Sequence, residues 1–116
     1  MNNDYRMYIL VNEDVEIKKG KLAGQVGHAV ASYFWKLMKN PEEKENELLN
    51  EYMEIQKKII LYAPQSKLEE LEREGHITIR DKGFTQLEPN TLTCVNIGIY
   101  DVNEVPKWVK KLKLVK

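Results

Sequence analysis

The chain reads as an α/β protein, a single three-layer α/β/α domain built on a four-stranded mixed sheet. Three observations predict this. Short apolar runs suited to strands alternate with stretches of helical period, the pattern of one sheet between helical layers. The last two strand-like runs are joined by a loop of about ten residues without a helix, short for a parallel crossover, so at least one strand pairs antiparallel. No repeat, low-complexity tract or linker divides the 116 residues. A chain of that length buries roughly two thirds of its unfolded surface.

The elements follow in order. Residues 7–11 (MYILV) are a continuous apolar run, the mark of a buried strand. A polar turn over 12–19 leads to Gly20, after which Leu22, Val26, Ala29, Tyr33 and Leu37 recur at helical spacing to about Lys39. Pro41, following Asn40, ends that helix and can begin a second, acidic one over 42–56 that turns Leu48, Leu49, Tyr52 and Ile55 inward. Residues 58–62 (KIILY) are the next strand. A turn over 63–66, with Ser66 as candidate cap, precedes a helix over 67–74 that Gly75 stops. Residues 76–80 (HITIR) alternate as a third strand, and 81–91, with Gly83, Pro89 and Asn90, form a loop. Residues 93–99 (TCVNIGI) are the fourth strand; Val105-Pro106 opens a short last helix, with Leu112-Lys113-Leu114 trailing.

Composition narrows the function classes. Lysine plus arginine equals aspartate plus glutamate at 18 each, which excludes a protein that coats nucleic acid by bulk charge. The charges are nevertheless segregated. Six acids fall between Glu42 and Glu54, Lys18, Lys19 and Lys21 cluster early, and Lys107, Lys110, Lys111, Lys113 and Lys116 crowd the end, so a local anion site is possible on a neutral chain. The one cysteine, Cys94, cannot close an internal disulfide and reads as inert mid-strand packing, which fits a reducing cytoplasm. His28 and His76 are far apart and Cys94 has no metal-ligand spacing, so no metal site is expected. The acid-bearing N-terminus is no secretion signal, and no stretch approaches the roughly 20 apolar residues of a membrane span, so a soluble protein without membrane partners is expected.

The chain contains no GxxxxGK[ST] phosphate loop, GxGxxG, HExxH or GxSxG motif. The first helix is the informative segment. Lys21, Gln25, His28 and Ser32 fall in one polar stripe beside its apolar side. Ala23, Gly24, Gly27, Ala29 and Ala31 make it thin, and since a helical glycine costs roughly 1 kcal/mol against alanine, a close neighbour is expected there. Lys18, Lys19 and Lys21 crowd an N-terminus that already carries positive partial charge. Such an end, with its unpaired N–H groups, suits a phosphate or carboxylate. The second candidate is the loop that Asp81 opens, where Thr85, Gln86, Thr91 and Thr93 supply neutral donors and acceptors. Asp81 is equally suited to capping the turn at Gly83.

These residues carry a resemblance. Lys19-Gly20-Lys21-Leu22-Ala23-Gly24-Gln25-Val26-Gly27-His28-Ala29 resembles the signature of the type 2 peptidyl-tRNA hydrolases, where a K-G-K-hydrophobic-A-x-Q-x-x-H-A run opens the first long helix. Arg80-Asp81-Lys82-Gly83-Phe84-Thr85-Gln86 is similar to the family's R-D-A-G-x-T segment, Pro89-Asn90-Thr91-Leu92-Thr93-Cys94-Val95 to its P-G-T-x-T-hydrophobic strand, and Leu112-Lys113-Leu114 to its closing residues. The chain departs from the pattern at Lys82 (often Ala), Asn90 (often Gly), Gly98-Ile99 (usually Gly-Pro) and Lys110-Lys111 (Thr-Gly). The resemblance implies a four-stranded mixed sheet flanked by helices, a possible homodimer, and cofactor-free hydrolysis of peptidyl-tRNA. It places Lys19, Asp81 and Thr93 at positions assigned to catalysis, and Lys21, Gln25, His28 and Thr85 along the cleft; Lys18 and Thr91 join them as candidate substrate contacts.

The chemistry fits these residue types. Hydrolysis of an activated ester needs an oriented water, a stabilised oxyanion and a held phosphate. Asp81 can orient or deprotonate water. Lys19 can meet the oxyanion or phosphate, and Thr93 can position water or carbonyl. Gln25 can bond peptide or ribose, and His28 can carry a proton or be structural. The alternative is a non-catalytic relative that binds RNA or protein on the same fold. The hydrolase reading requires Lys19 and Asp81 to face each other across an open groove.

Overall fold

The computed structural model describes residues 4–83 and 87–116. The strands are β1 (Tyr5–Asn12), β2 (Lys58–Ala63), β3 (Ile77–Arg80) and β4 (Leu92–Asp101), and the helices α1 (Lys19–Lys39), α2 (Leu49–Ile55), α3 (Gln65–Arg73) and α4 (Lys107–Lys110). They form one four-stranded sheet of order β2-β1-β4-β3. β1 and β2 are parallel, whereas β4 runs antiparallel to both β1 and β3. The sheet is therefore mixed, as the short 81–91 connection requires.

Two apolar layers sandwich it. Met7, Ile9 and Val11 of β1 join Ala29, Tyr33, Leu37, Tyr52 and Cys94 on the α1–α2 side. Tyr8 and Leu10 join Leu61, Leu68, Leu71, Val95, Ile97 and Val109 on the α3–α4 side. The period-two alternation of one apolar run thus feeds both cores. The sheet-facing positions of α1 are Gln25, Ala29, Tyr33 and Leu37, at four-residue intervals. A polar seam fixes them over β4: Asn96 Nδ2 donates to the Ala29 carbonyl at 3.2 Å, and the Cys94 thiol donates to the Gln25 carbonyl at 3.4 Å. Gly98 has φ +103, and a Cβ there would stand 3.3 Å from the Tyr33 hydroxyl, so both backbone and packing require glycine.

Several expectations are corrected. The acidic segment is a 3₁₀ turn (Lys44–Leu48) followed by the short α2, not one helix from 42 to 56. Ile55 ends α2 and is 72% exposed, because Gln56 turns left-handed at φ 60 and breaks the inward face. Ser66 does not cap α3. Pro64 stands at that position, and the Gln65 N–H donates to the Asp14 carboxylate at 2.8 Å from across the molecule. The glycines of α1 are not pressed on a neighbour: a Cβ at Gly20, Gly24 or Gly27 meets nothing within 4 Å, since the sheet-facing row lies to one side of them. The tail does not merely trail. Leu114 bridges Leu61 antiparallel, with Tyr62 N–H to Lys113 O and Val115 N–H to Ile60 O both at 2.9 Å, so it covers the free edge of β2.

Candidate active site

Because β3 is antiparallel to β4 and β4 to β1, the carboxyl ends of β1, β2 and β3 lie at one end of the sheet. The N-terminus of α1 follows β1 there and the loop opened by Asp81 follows β3, the position at which open α/β sheets bind ligands. A cleft of about 510 Å³ opens between them, lined by Lys21, Gln25, His28 and Ser32 of α1 and by Thr78, Ile79, Arg80, Asp81 and Lys82. The polar stripe of α1 is thus a cleft wall. A larger hollow of about 590 Å³ lies beyond the start of α1, along Glu13, Asp14, Glu16, Tyr62, Lys111 and Lys113. It holds Lys111 and Lys113 of the C-terminal lysine cluster but none of the residues that the resemblance places at the site, and is the weaker candidate despite its size.

Asp81 is 4% exposed, and its carboxylate is ion-paired with Lys21 Nζ. Its second oxygen accepts the Gly83 N–H at 2.9 Å. The Lys21 ammonium first, and the Gly83 and Lys82 N–H groups after it, hold the Asp81 carboxyl below the ordinary value of 3.8 against the opposing effect of burial. The carboxylate is therefore ionised at neutral pH, fixed in place, and a weaker base than a free aspartate. Gly83 makes this turn possible: its φ is +79, and a Cβ would stand 2.7 Å from Pro89 Cγ. Around the turn, the Asp81 N–H donates to Thr91 O at 2.8 Å and the Asn90 N–H to Asp81 O at 2.6 Å. Asn90 has φ 67, a conformation asparagine adopts more readily than most residues, which accounts for its standing where the family pattern has glycine.

The lysine-rich start of α1 does face Asp81 as the hydrolase reading requires, but the ion-pair partner is Lys21 and not the expected Lys19. Lys19 is the exposed first residue of α1, and Lys18 is the exposed residue before it; neither is among the cleft-lining residues, two residues of helix having turned Lys21 inward instead. His28 is exposed on the cleft wall. The Thr91 hydroxyl donates to Glu88 O at 2.6 Å and so closes its own turn. Thr85 lies outside the described residues. Thr93 is in a deeper layer: fully buried, its Oγ1 is 2.7 Å from Gln25 Oε1 and 3.1 Å from the Ile79 carbonyl. It reaches α1 through an irregularity in β4. Arg80 pairs with Leu92 and Ile79 with Cys94, so Thr93 is skipped, and both Thr93 and Cys94 turn toward α1. Burial pushes the Cys94 thiol up to about 12, which keeps it protonated and inert.

Sequence reasoning overlooked two groups. Arg80 lines the cleft, held by Glu72 at 2.8 and 3.0 Å, and donates to Asn90 O at 2.7 Å. Lys82 lines the cleft and is exposed, although the family pattern has a neutral residue there. With Lys21, the described lining carries three basic side chains and one carboxylate; Lys21 is paired with Asp81 and Arg80 with Glu72, which leaves Lys82 to favour an anionic ligand. Among the described residues no three His, Cys, Asp or Glu side chains gather to hold a metal, and no helix is long and apolar enough to cross a membrane.

Residues 5–115 match the family model described as peptidyl-tRNA hydrolase PTH2. A peptidyl-tRNA hydrolase of Staphylothermus marinus is 35% identical, with 98% of each chain aligned. Enzymes of the same name from Saccharolobus islandicus and Sulfurisphaera tokodaii are each 34% identical over 95% of this chain and 98% of theirs.

Proposed function

Since the chain belongs to the peptidyl-tRNA hydrolase PTH2 family, we propose that it hydrolyses the ester joining a peptide, or an N-blocked aminoacyl group, to the 3′ end of tRNA, and that the Lys21–Asp81 cleft is where it does so. Water adds to the ester carbonyl, the tRNA 3′ oxygen leaves with a proton, and the products are a peptide carboxylic acid and free tRNA. The observation that carries this reading is the buried carboxylate paired to an ammonium at the mouth of a cation-lined cleft.

The roles follow from position. Asp81, ionised and fixed, orients the attacking water and holds the Lys21 ammonium; its lowered pKa makes strong proton abstraction the lesser part of its work. Lys21 faces the oxyanion as it forms, where a charged donor contributes most. Lys18 and Lys19, at the start of α1, and Lys82 meet the phosphates of the tRNA terminus. His28 on the exposed wall and Thr91 contact the substrate, Thr85 is assigned the same role on the family pattern alone, and Thr93 acts from beneath by positioning Gln25. The setting is cytoplasmic translation. Association into a homodimer fits the exposed Trp35, Met38 and Met53 on α1 and α2, and sedimentation equilibrium tests it.

Incubation with N-acetyl-aminoacyl-tRNA, scored for release of the acyl group, tests the activity. Release from the tRNA ester and not from a simple aryl ester is expected. Binding of tRNA without release would instead establish the non-catalytic alternative.

A further inference from the structure

The Thr93 hydroxyl carries one proton and faces two oxygens, Gln25 Oε1 at 2.7 Å and the Ile79 carbonyl at 3.1 Å. Each oxygen–oxygen approach of that length needs a hydrogen between the atoms, and only one is available. The other orientation of the Gln25 amide has the same shape and resolves the conflict. Nε2 then donates to Thr93 Oγ1, and Thr93 donates its proton to the Ile79 carbonyl. Thr93 is fully buried and Gln25 is 5% exposed, so no water competes for these places. The register irregularity that skips Thr93 between Leu92 and Cys94 brings its hydroxyl to both partners. The Gln25 backbone is held as well, by the Cys94 thiol on its carbonyl at 3.4 Å.

We infer that Thr93 turns the Gln25 amide so that its carbonyl oxygen, and not its NH2, faces the cleft and accepts a hydrogen bond from a donor beside the scissile ester. This rests on the ester-hydrolase reading and names a recognition element within it. The cleft wall already presents donors in Lys21, Arg80 and Lys82; a fixed amide oxygen among them selects an N–H or O–H group on the substrate. Beside the ester of a peptidyl-tRNA two groups have that chemistry: the neighbouring ribose 2′-hydroxyl and the N–H of the acylated amino group. Thr93 is thus a positioning residue that touches no reacting atom.

Two measurements test this. In protein labelled with nitrogen-15 at glutamine, the Gln25 NH2 protons are expected to show nuclear Overhauser contacts to the Thr93 methyl and exchange slowed relative to exposed glutamines. Fast exchange without those contacts would overturn the orientation. The second is kinetic, comparing N-acetyl-aminoacyl-tRNA with its terminal 2′-deoxy analogue and with N-acetyl-prolyl-tRNA, which lacks the N–H. Wild type is expected to lose about tenfold in kcat/KM on one of the two, the effect of one lost hydrogen bond. Gln25→Met and Thr93→Val should be slowed on the parent substrate and lose nothing further on that analogue, while Thr93→Ser restores wild-type discrimination. Equal losses in wild type and Gln25→Met would remove Gln25 as the acceptor. A wild type inert on the parent substrate would defeat the hydrolase reading, while the resonance experiment would still decide the orientation.

Discussion

Lys21 on the first turn of α1 and Asp81 at the end of β3 meet as an ion pair with both side chains largely withdrawn from solvent, 14% and 4% exposed. The pair joins two elements that the chain brings together only through the whole sheet. A buried ion pair is weak evidence of stabilisation, because desolvation offsets its attraction. Its position at the mouth of a cleft makes function the better account.

Removal of either partner is expected to affect turnover more than folding. Lys21→Met and Asp81→Asn should each lower kcat/KM on N-acetyl-aminoacyl-tRNA by about 10²-fold or more, the size of a lost general acid–base or oxyanion contribution. Circular dichroism should show the native fold in both. Lys19→Ala, which leaves the pair intact, should act mainly through KM.

The acid limb of the rate profile should lie low. The active form needs Asp81 ionised, and Lys21 holds its carboxyl below 3.8, so kcat/KM should show no carboxylate step as pH falls from 8 to 5. In Lys21→Met the burial that raises the Asp81 pKa is no longer opposed by the ammonium, and the limb should move upward. Profiles of the two proteins check the sign. The same shift stabilises the fold above the unfolded value and is lost as pH falls through the folded one.

His76 gives a separate pH signature. Burial lowers its pKa below 6.5, outweighing the favourable influence of Glu74, whose carboxylate is 3.8 Å away; Lys36 lowers it further and Glu45 opposes. The unfolded chain therefore takes the proton first. Stability should be full above pH 6.5 and fall as pH drops through the folded value. Thermal unfolding of wild type and His76→Gln between pH 7.5 and 5 should show the decline flattened in the variant.

Gly83→Ala should be costly for its size. A left-handed residue with a Cβ loses about 1–2 kcal/mol, and here the Cβ would also strike Pro89. The turn that orients Asp81 should shift, lowering both Tm and kcat. Asn90→Gly, at a similar φ without a demanded side chain, should change stability by less than about 1 kcal/mol.

Much of this was legible in the residues, for reasons that can be named. The MYILV run and the four-residue spacing of Ala29, Tyr33 and Leu37 marked a buried strand and the helix over it. The stripe of Lys21, Gln25, His28 and Ser32 marked the cleft wall, and its own helical phase singles out Lys21 over Lys19, a signal that the family motif obscured. What was illegible depended on tertiary contacts. Ile55 fits an inward helical phase but stands at the helix end, where the left-handed Gln56 that follows breaks it. The pairing of Leu114 with Leu61 joins segments distant in sequence. The burial of Thr93 depends on a one-residue irregularity in β4 that no local pattern announces.

Electrostatic attraction should govern substrate capture. With Lys21, Arg80 and Lys82 on the cleft and no net charge on the chain, tRNA binding should weaken steadily with added salt, with a slope reflecting only a few phosphate contacts. Lys82→Ala should reduce that slope by about one contact and raise KM with kcat retained.

The most direct test is single-turnover cleavage of N-acetyl-aminoacyl-tRNA at saturating enzyme, comparing wild type with Asp81→Asn. Saturation removes binding differences, so the chemical step alone is read. A fall of about 10²-fold or more in a folded Asp81→Asn protein is the result predicted. Cleavage at the wild-type rate would place the reaction elsewhere on the molecule.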